Sequence, residues 1–139
     1  MKFTNYEIVN ALSILRKFTD NKFPQKISYA ITRNIKVFDN EYKEYQAQLQ
    51  KILDEYKDYV VTDENGVQKV SPEGIPLVSE DKMGDYVSDI NELLDCTSDV
   101  AVHTVPDDAF DYDDARFDCI TPNDILMLQE IMCERKDKS

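Results

Sequence analysis

The residues of this chain most able to do chemistry are the carboxylates of PDDAFDYDDARFDC, residues 106 to 119, where six aspartates and one arginine are interleaved with three aromatic rings. Clustered carboxylates suit hard cations, so calcium is the first test. A calcium loop of the helix-loop-helix type needs oxygen ligands at its first, third and fifth positions, glycine at the sixth and glutamate at the twelfth. Counted from Asp111, the third residue is Asp113, but the fifth, sixth and twelfth are Ala115, Arg116 and Pro122. The pattern fails, and no metal is assigned. The same carboxylates would offer a Lys/Arg-lined groove the charge that phosphate offers, which makes the segment a candidate decoy for a nucleic-acid-binding protein. In that reading Asp107, Asp108, Asp111, Asp113 and Asp114 meet the partner, with Phe110 and Tyr112 as aromatic contacts or as anchors of the loop. The plain alternative is a solvated connection.

Other chemistry is thinly represented. His103 is the single histidine, and no nucleophile motif surrounds it, so a structural role is expected. Gly66, Gly74 and Gly84 are too scattered to cradle a phosphate. Cys96, His103, Cys119 and Cys133 would total four zinc-type ligands, yet their separations of seven, sixteen and fourteen residues match no zinc arrangement. Reduced thiols are expected instead. The chain therefore reads as a non-enzyme with no catalytic residues and no cofactor. A different binding chemistry comes from the first third, where Arg16, Lys17, Lys22, Lys26 and Arg33 would converge, within one subunit or between two, on a small anion. Arginine would grip phosphate oxygens in bidentate fashion there.

Charge narrows the partners. The 139 residues carry a net −12, with a sequence pI near 4.4, which argues against general affinity for DNA or RNA. Residues 1–36 nevertheless hold seven basic against two acidic side chains, a net +5, while the rest carry nine against 26, a net −17. Such polarity favours self-association or a charged partner; the alternative is a basic helix that pairs with acidic neighbours in its own monomer. No apolar run is long enough for a membrane span, and MKFTNYEIVNALS lacks the unbroken apolar stretch of a secretory signal. The expected place is the cytoplasm.

The elements that must position these residues follow from periodicity. Thr4 and Glu7 form a T-x-x-E capping box, with Phe3 and Ile8 as a hydrophobic staple, opening a helix over about 5–19. From Pro24 no glycine or proline interrupts the chain until Gly66, and Ile31, Ile35, Phe38, Tyr42, Tyr45, Leu49, Ile52 and Tyr56 recur at alternating steps of four and three. That is a coiled-coil seam on a helix of about 50 Å, too long for the first helix to cover. Ile35, Phe38, Tyr42, Tyr45, Leu49 and Ile52 are thus candidates for self-association, unless later elements cover them. Asn65-Gly66 predicts a type I′ hairpin joining 59–63 to 68–71, and Pro72, Gly74 and Pro76 predict a loop after it. Ser79 would cap a third helix with Met83, Val87, Ile90 and Leu94 inward. VAVHTV, residues 100–105, reads as a strand, and Thr121, Pro122 and Asp124 open a last helix with Ile125, Leu128, Ile131 and Met132 inward. No internal repeat is evident. The expectation is one predominantly helical α+β domain over 1–139: a helical hairpin at 4–59, then hairpin, helix, strand and helix over 60–135, and a frayed tail at 136–139.

The order of these pieces, from MKFTNYEIVNAL through FPQKISYAITRNIKVFDNEYKEYQAQLQKILDEY, ENG, INELLD and VAVHTV to ITPNDILMLQEIM, resembles a group of small phage and prophage proteins from Gram-positive hosts. The likeness spans most of the chain and rests on structural motifs; the acidic segment before ITPND departs from it. It carries over no catalytic residue. It implies a viral accessory protein in a bacterial cytoplasm, binding a host protein, plausibly an immune effector, through its acidic surface. Its rivals are an oligomer that sequesters a nucleotide signal through the basic third, and a structural or assembly protein pairing through the long helix.

Overall fold

The computed structural model describes residues 1–134; the expected tail at 136–139 lies outside the described residues. The fold is a predominantly helical α+β arrangement: β1 (Lys2–Thr4), α1 (Asn5–Lys17), α2 (Gln25–Glu55), α3 (Glu80–Asp95), β2 (Thr97–Asp99) and α4 (Pro122–Met132). The chain forms two compact units, one from 1–42 with 97–139, the other from 43–96. The division falls inside α2.

In the first unit, α1 begins as its sequence dictates. The Thr4 hydroxyl accepts from the Glu7 N–H at 3.1 Å, and the Glu7 carboxylate accepts from the Thr4 N–H at 2.9 Å. α4 repeats the device: the Thr121 hydroxyl accepts from the Asp124 N–H at 3.1 Å and the Asp124 carboxylate from the Thr121 N–H at 3.3 Å. These boxes satisfy N–H groups that a helix start leaves without partners. The core packs Ile8, Leu12 and Leu15 of α1 with Ile27, Ile31 and Phe38 of α2 and Leu128, Ile131 and Met132 of α4. Phe3 meets Phe38 edge-to-face at 5.1 Å, a geometry worth about 0.5–1.5 kcal/mol beyond burial.

The strand expected at 100–105 is displaced. β2 pairs antiparallel with β1, Phe3 opposite Ser98, and Val100 closes the ladder by donating to the Met1 carbonyl at 2.7 Å. A strand needs a backbone partner as well as β-branched residues. Beyond Val100 the β1–β2 ladder does not continue among the described residues, and Val100 and Val105 are both buried in the core.

The second unit contains a repeat that the hydrogen bonds reveal. Residues 61–68 (VTDENGVQ), 69–76 (KVSPEGIP) and 77–84 (LVSEDKMG) are three eight-residue copies. The Val61 N–H donates to the Leu77 carbonyl, Leu77 to Lys69, and Lys69 to Val61, at 2.9, 2.8 and 2.9 Å, a closed ring. Bridges between Thr62 and Gln68, Val70 and Pro76, and Val60 and Val78 follow the same threefold order. In each copy the residue three places on donates to the carbonyl of Asp63, Ser71 or Ser79: Gly66, Gly74 and Lys82, at 2.8–3.0 Å. Gly66 and Gly74 take φ of +79° and +82°, whereas among the described residues no non-glycine residue does so. Lys82 stands where the third glycine would, so the chain there continues into α3 instead of turning back.

Two expectations are corrected by this motif. Asn65 lacks the positive φ of a type I′ turn; the loop is a three-residue connection ending in left-handed Gly66, with the Asp63 carboxylate accepting from the Asn65 and Val67 N–H groups. SPEGIPLVS is a second such hairpin, not an irregular loop, because Pro72 occupies a corner that requires no N–H. On α3, Tyr86 takes the inward place expected of Val87, which is 43% exposed; Tyr86 packs with Met83, Ile90 and Leu94 around Tyr56 and Val78.

The long seam of α2 is covered by its own chain. Ile35, Phe38 and Tyr42 pack into the first unit's core, Leu49 and Ile52 into the second's, and Tyr45 is buried. At 31 residues, α2 is about 46 Å long and ends before the expected residue 59.

Candidate functional site

The acidic segment belongs to the first unit, and its aromatic residues fix it. A 3₁₀ turn at Asp107–Phe110 drives Phe110 into the core, where it is 5% exposed. Phe110 is therefore an anchor and is withdrawn from any partner surface. Tyr112, half-buried, meets Phe117 edge-to-face at 5.5 Å and donates its hydroxyl to the Asp118 carbonyl at 3.2 Å. Burial, with Cys119 and Asp118 nearby, holds the Tyr112 phenol above its usual range. Asp118 ties the far end to the α1–α2 connection: its carboxylate accepts from the Lys22 N–H and its own N–H donates to the Lys22 carbonyl, both at 2.8 Å.

The remaining carboxylates divide into tied and displayed. Asp114 accepts from the Arg116 side chain at 2.8 and 3.0 Å and from its backbone N–H at 2.9 Å, and these bonds hold its carboxyl below the usual range. The Arg116 guanidinium also lies 5.1 Å from the Phe117 ring centre. The pKa of the buried Cys133 thiol is pushed up to about 11 by burial and by the nearby Asp107 carboxylate. Asp108, Asp111 and Asp113 are exposed. The segment is thus an ordered display of carboxylates.

The basic residues expected to share a pocket take separate places. Arg16 pairs with Asp39 at 3.1 Å. Lys17 ends α1, and Lys22 lies in the connection pinned by Asp118. Lys26 and Arg33 share an exposed face of α2, and there the structure adds Tyr29 and Lys36, which the sequence reading passed over. Steps of three, four and three put Lys26, Tyr29, Arg33 and Lys36 on one side of the helix. The signal was visible, but the stronger apolar seam overlay it.

His103 joins this face. Its ring meets Tyr29 edge-to-face at 5.2 Å, and the Arg33 guanidinium lies 5.8 Å from the Tyr29 ring centre. Behind them Asn34, fully buried, donates to the His103 carbonyl at 3.0 Å and accepts its N–H at 2.7 Å. Asn34 is a polar residue on the core side of α2, and it satisfies a backbone that has no strand partner.

The second unit carries further acid. Residues 43–96 hold thirteen acidic and five basic side chains, a net −8. Tyr56 donates to Asp89 at 2.9 Å, and burial together with that carboxylate pushes its phenol up to about 12. A slot of about 240 Å³ opens where Leu53, Val60 and Tyr86 meet Asp54, Lys57 and Gln68.

Cys96 and Cys119 are exposed thiols and Cys133 is buried. Among the described residues no cluster of His, Cys, Asp or Glu could hold a metal, and no helix is long and apolar enough to cross a membrane. No protein-family model matches the chain, and no curated protein or solved structure matches it.

Proposed function

We propose that the protein is a non-enzymatic inhibitor that binds a basic, nucleic-acid-handling host protein through the acidic segment of its first unit. The observation that carries this reading is the ordered display of Asp108, Asp111 and Asp113 on a segment anchored by Phe110 and tied at Asp114 and Asp118. A carboxylate array held in place before binding loses less conformational freedom on association than a mobile tail would, and its charge steers a Lys/Arg-rich partner toward it. The net charge of −12 supports the same choice of partner. A viral accessory protein aimed at a bacterial immune effector is the biological form suggested by the resemblance of its motif order to small phage proteins.

The test is purification of tagged protein from host cells at low salt, beside a triple variant D108N/D111N/D113N. These three changes leave Asp107 and the Asp114–Arg116 and Asp118–Lys22 bonds in place. The expected outcome is a stoichiometric basic host protein released by salt and lost with the triple variant. Retention of the same partner by a folded triple variant would sink the proposal.

A further inference from the structure

The basic face of α2 is the charged surface that the proposed inhibitor role does not use. Lys26, Arg33 and Lys36 are exposed, and among the described residues none has a carboxylate at ion-pair distance. That is notable in a chain with 28 acidic side chains against 16 basic ones. Tyr29 sits among them with 54% of its surface exposed.

We infer that this face is a binding site for a mononucleotide, with Arg33 and the flanking Lys26 and Lys36 on the phosphate and the Tyr29 and His103 rings against the base. Arginine presents a planar fork that matches phosphate oxygens, and the lysines supply point charges on either side. Along the helix axis the three cations span about 15 Å, and Arg33 and Lys36 lie only about 4.5 Å apart, close enough to share one phosphate. Aromatic side chains and arginine provide the platform on which bases stack without regard to sequence.

The platform is fixed from behind. Asn34 holds the backbone of His103 through two hydrogen bonds and is itself fully buried, so the His103 ring is carried to the Tyr29 edge by the core. A site ordered in this way is ready before its ligand arrives. Overall charge sets the size of the ligand: a net −12 repels a long polyanion, whose many phosphates would face the acidic remainder of the protein, while a single nucleotide meets only the local cations.

One rival occupant is present in the molecule itself, the acidic segment of a second copy. The experiment distinguishes the two. Resonances of the full chain are followed by NMR at low salt as adenosine monophosphate is added to about 1 mM, the concentration range of a weak site, with adenosine and inorganic phosphate as separate probes. Expected are shifts concentrated at Tyr29, Arg33, Lys36 and His103, larger for the nucleotide than for either half. Y29A and R33E should each weaken binding about tenfold while spectra elsewhere stay unchanged. Absence of shifts at this face, or shifts spread equally to Lys17 and Lys22 and unaltered in R33E, would overturn the site. So would shifts at these residues that follow protein concentration without nucleotide and vanish in D108N/D111N/D113N, which would assign the face to self-association.

Discussion

The acidic segment and the basic face of α2 display opposite charges by opposite means. On α2 the display is a property of the helix: residues at steps of three and four share a side whatever lies beneath them. The acidic segment has no such period. Its carboxylates point where they do because Phe110 is buried, because Tyr112 and Phe117 pack on each other, and because Asp118 is bonded to Lys22. One charged surface is local and the other is tertiary, so they should fail differently.

The sharpest way to break the comparison is F110A. Removing a buried phenyl ring typically costs about 3–5 kcal/mol, and chemical denaturation should show a loss of that size. At the milder denaturant concentrations where the variant still folds, amide exchange across 107–118 should quicken, while that of α2 at 26–36 stays slow. Equal protection of the two regions would show that the segment does not depend on its anchor.

N34A tests the single tertiary element of the basic face. It leaves the His103 N–H and carbonyl without their partner, a loss of about 1–3 kcal/mol. The Tyr29–His103 ring contact should loosen, read as a smaller ring-current shift, while the helical stripe keeps its register. An unchanged His103 environment would mean that Asn34 is not what holds it.

A smaller effect concerns Cys133. Its thiol pKa is raised in the fold to about 11 from a starting value of 9.0. The sign follows: the fold favours the protonated thiol, so this contribution is complete below the unfolded value and is lost as pH rises through the folded one. Thiol reagents near neutral pH should label Cys96 and Cys119 well before Cys133. D107N removes a charge that raises the thiol pKa, so labelling of Cys133 should begin at lower pH in that variant.

The smallest effect is at Asp114, whose side chain is partly exposed. Arg116 lowers its carboxyl pKa in the fold. Its contribution is therefore present above the ordinary carboxylate range and fades as pH falls through the lowered value. A carboxyl-detected NMR titration should show the Asp114 midpoint rise in R116Q, with little change in overall unfolding. An unmoved midpoint would remove Arg116 from the account of the segment.

Sequence alone determined the parts whose causes are local. Thr4 with Glu7 and Thr121 with Asp124 start their helices because the capping partners lie three residues apart. The seam of α2 is a matter of spacing, and the failure of the calcium pattern at Ala115, Arg116 and Pro122 is visible by inspection. Tertiary structure decided the rest. VAVHTV has β-favouring residues, but only its ends find backbone partners, Val100 at Met1 and Val105 at Met132, and the buried amide of Asn34 serves the backbone of His103 between them. The eight-residue repeat is obscured in the letters, since two glycines, a lysine and differing turn residues occupy equivalent places, and it emerges in the ring of bonds joining Val61, Lys69 and Leu77. Phe110 looked as suited to a partner as to a core; only its burial settled which. The reason is common to these cases: a local pattern fixes which groups lie near each other along the chain, whereas backbone partners and burial depend on what the distant chain brings alongside.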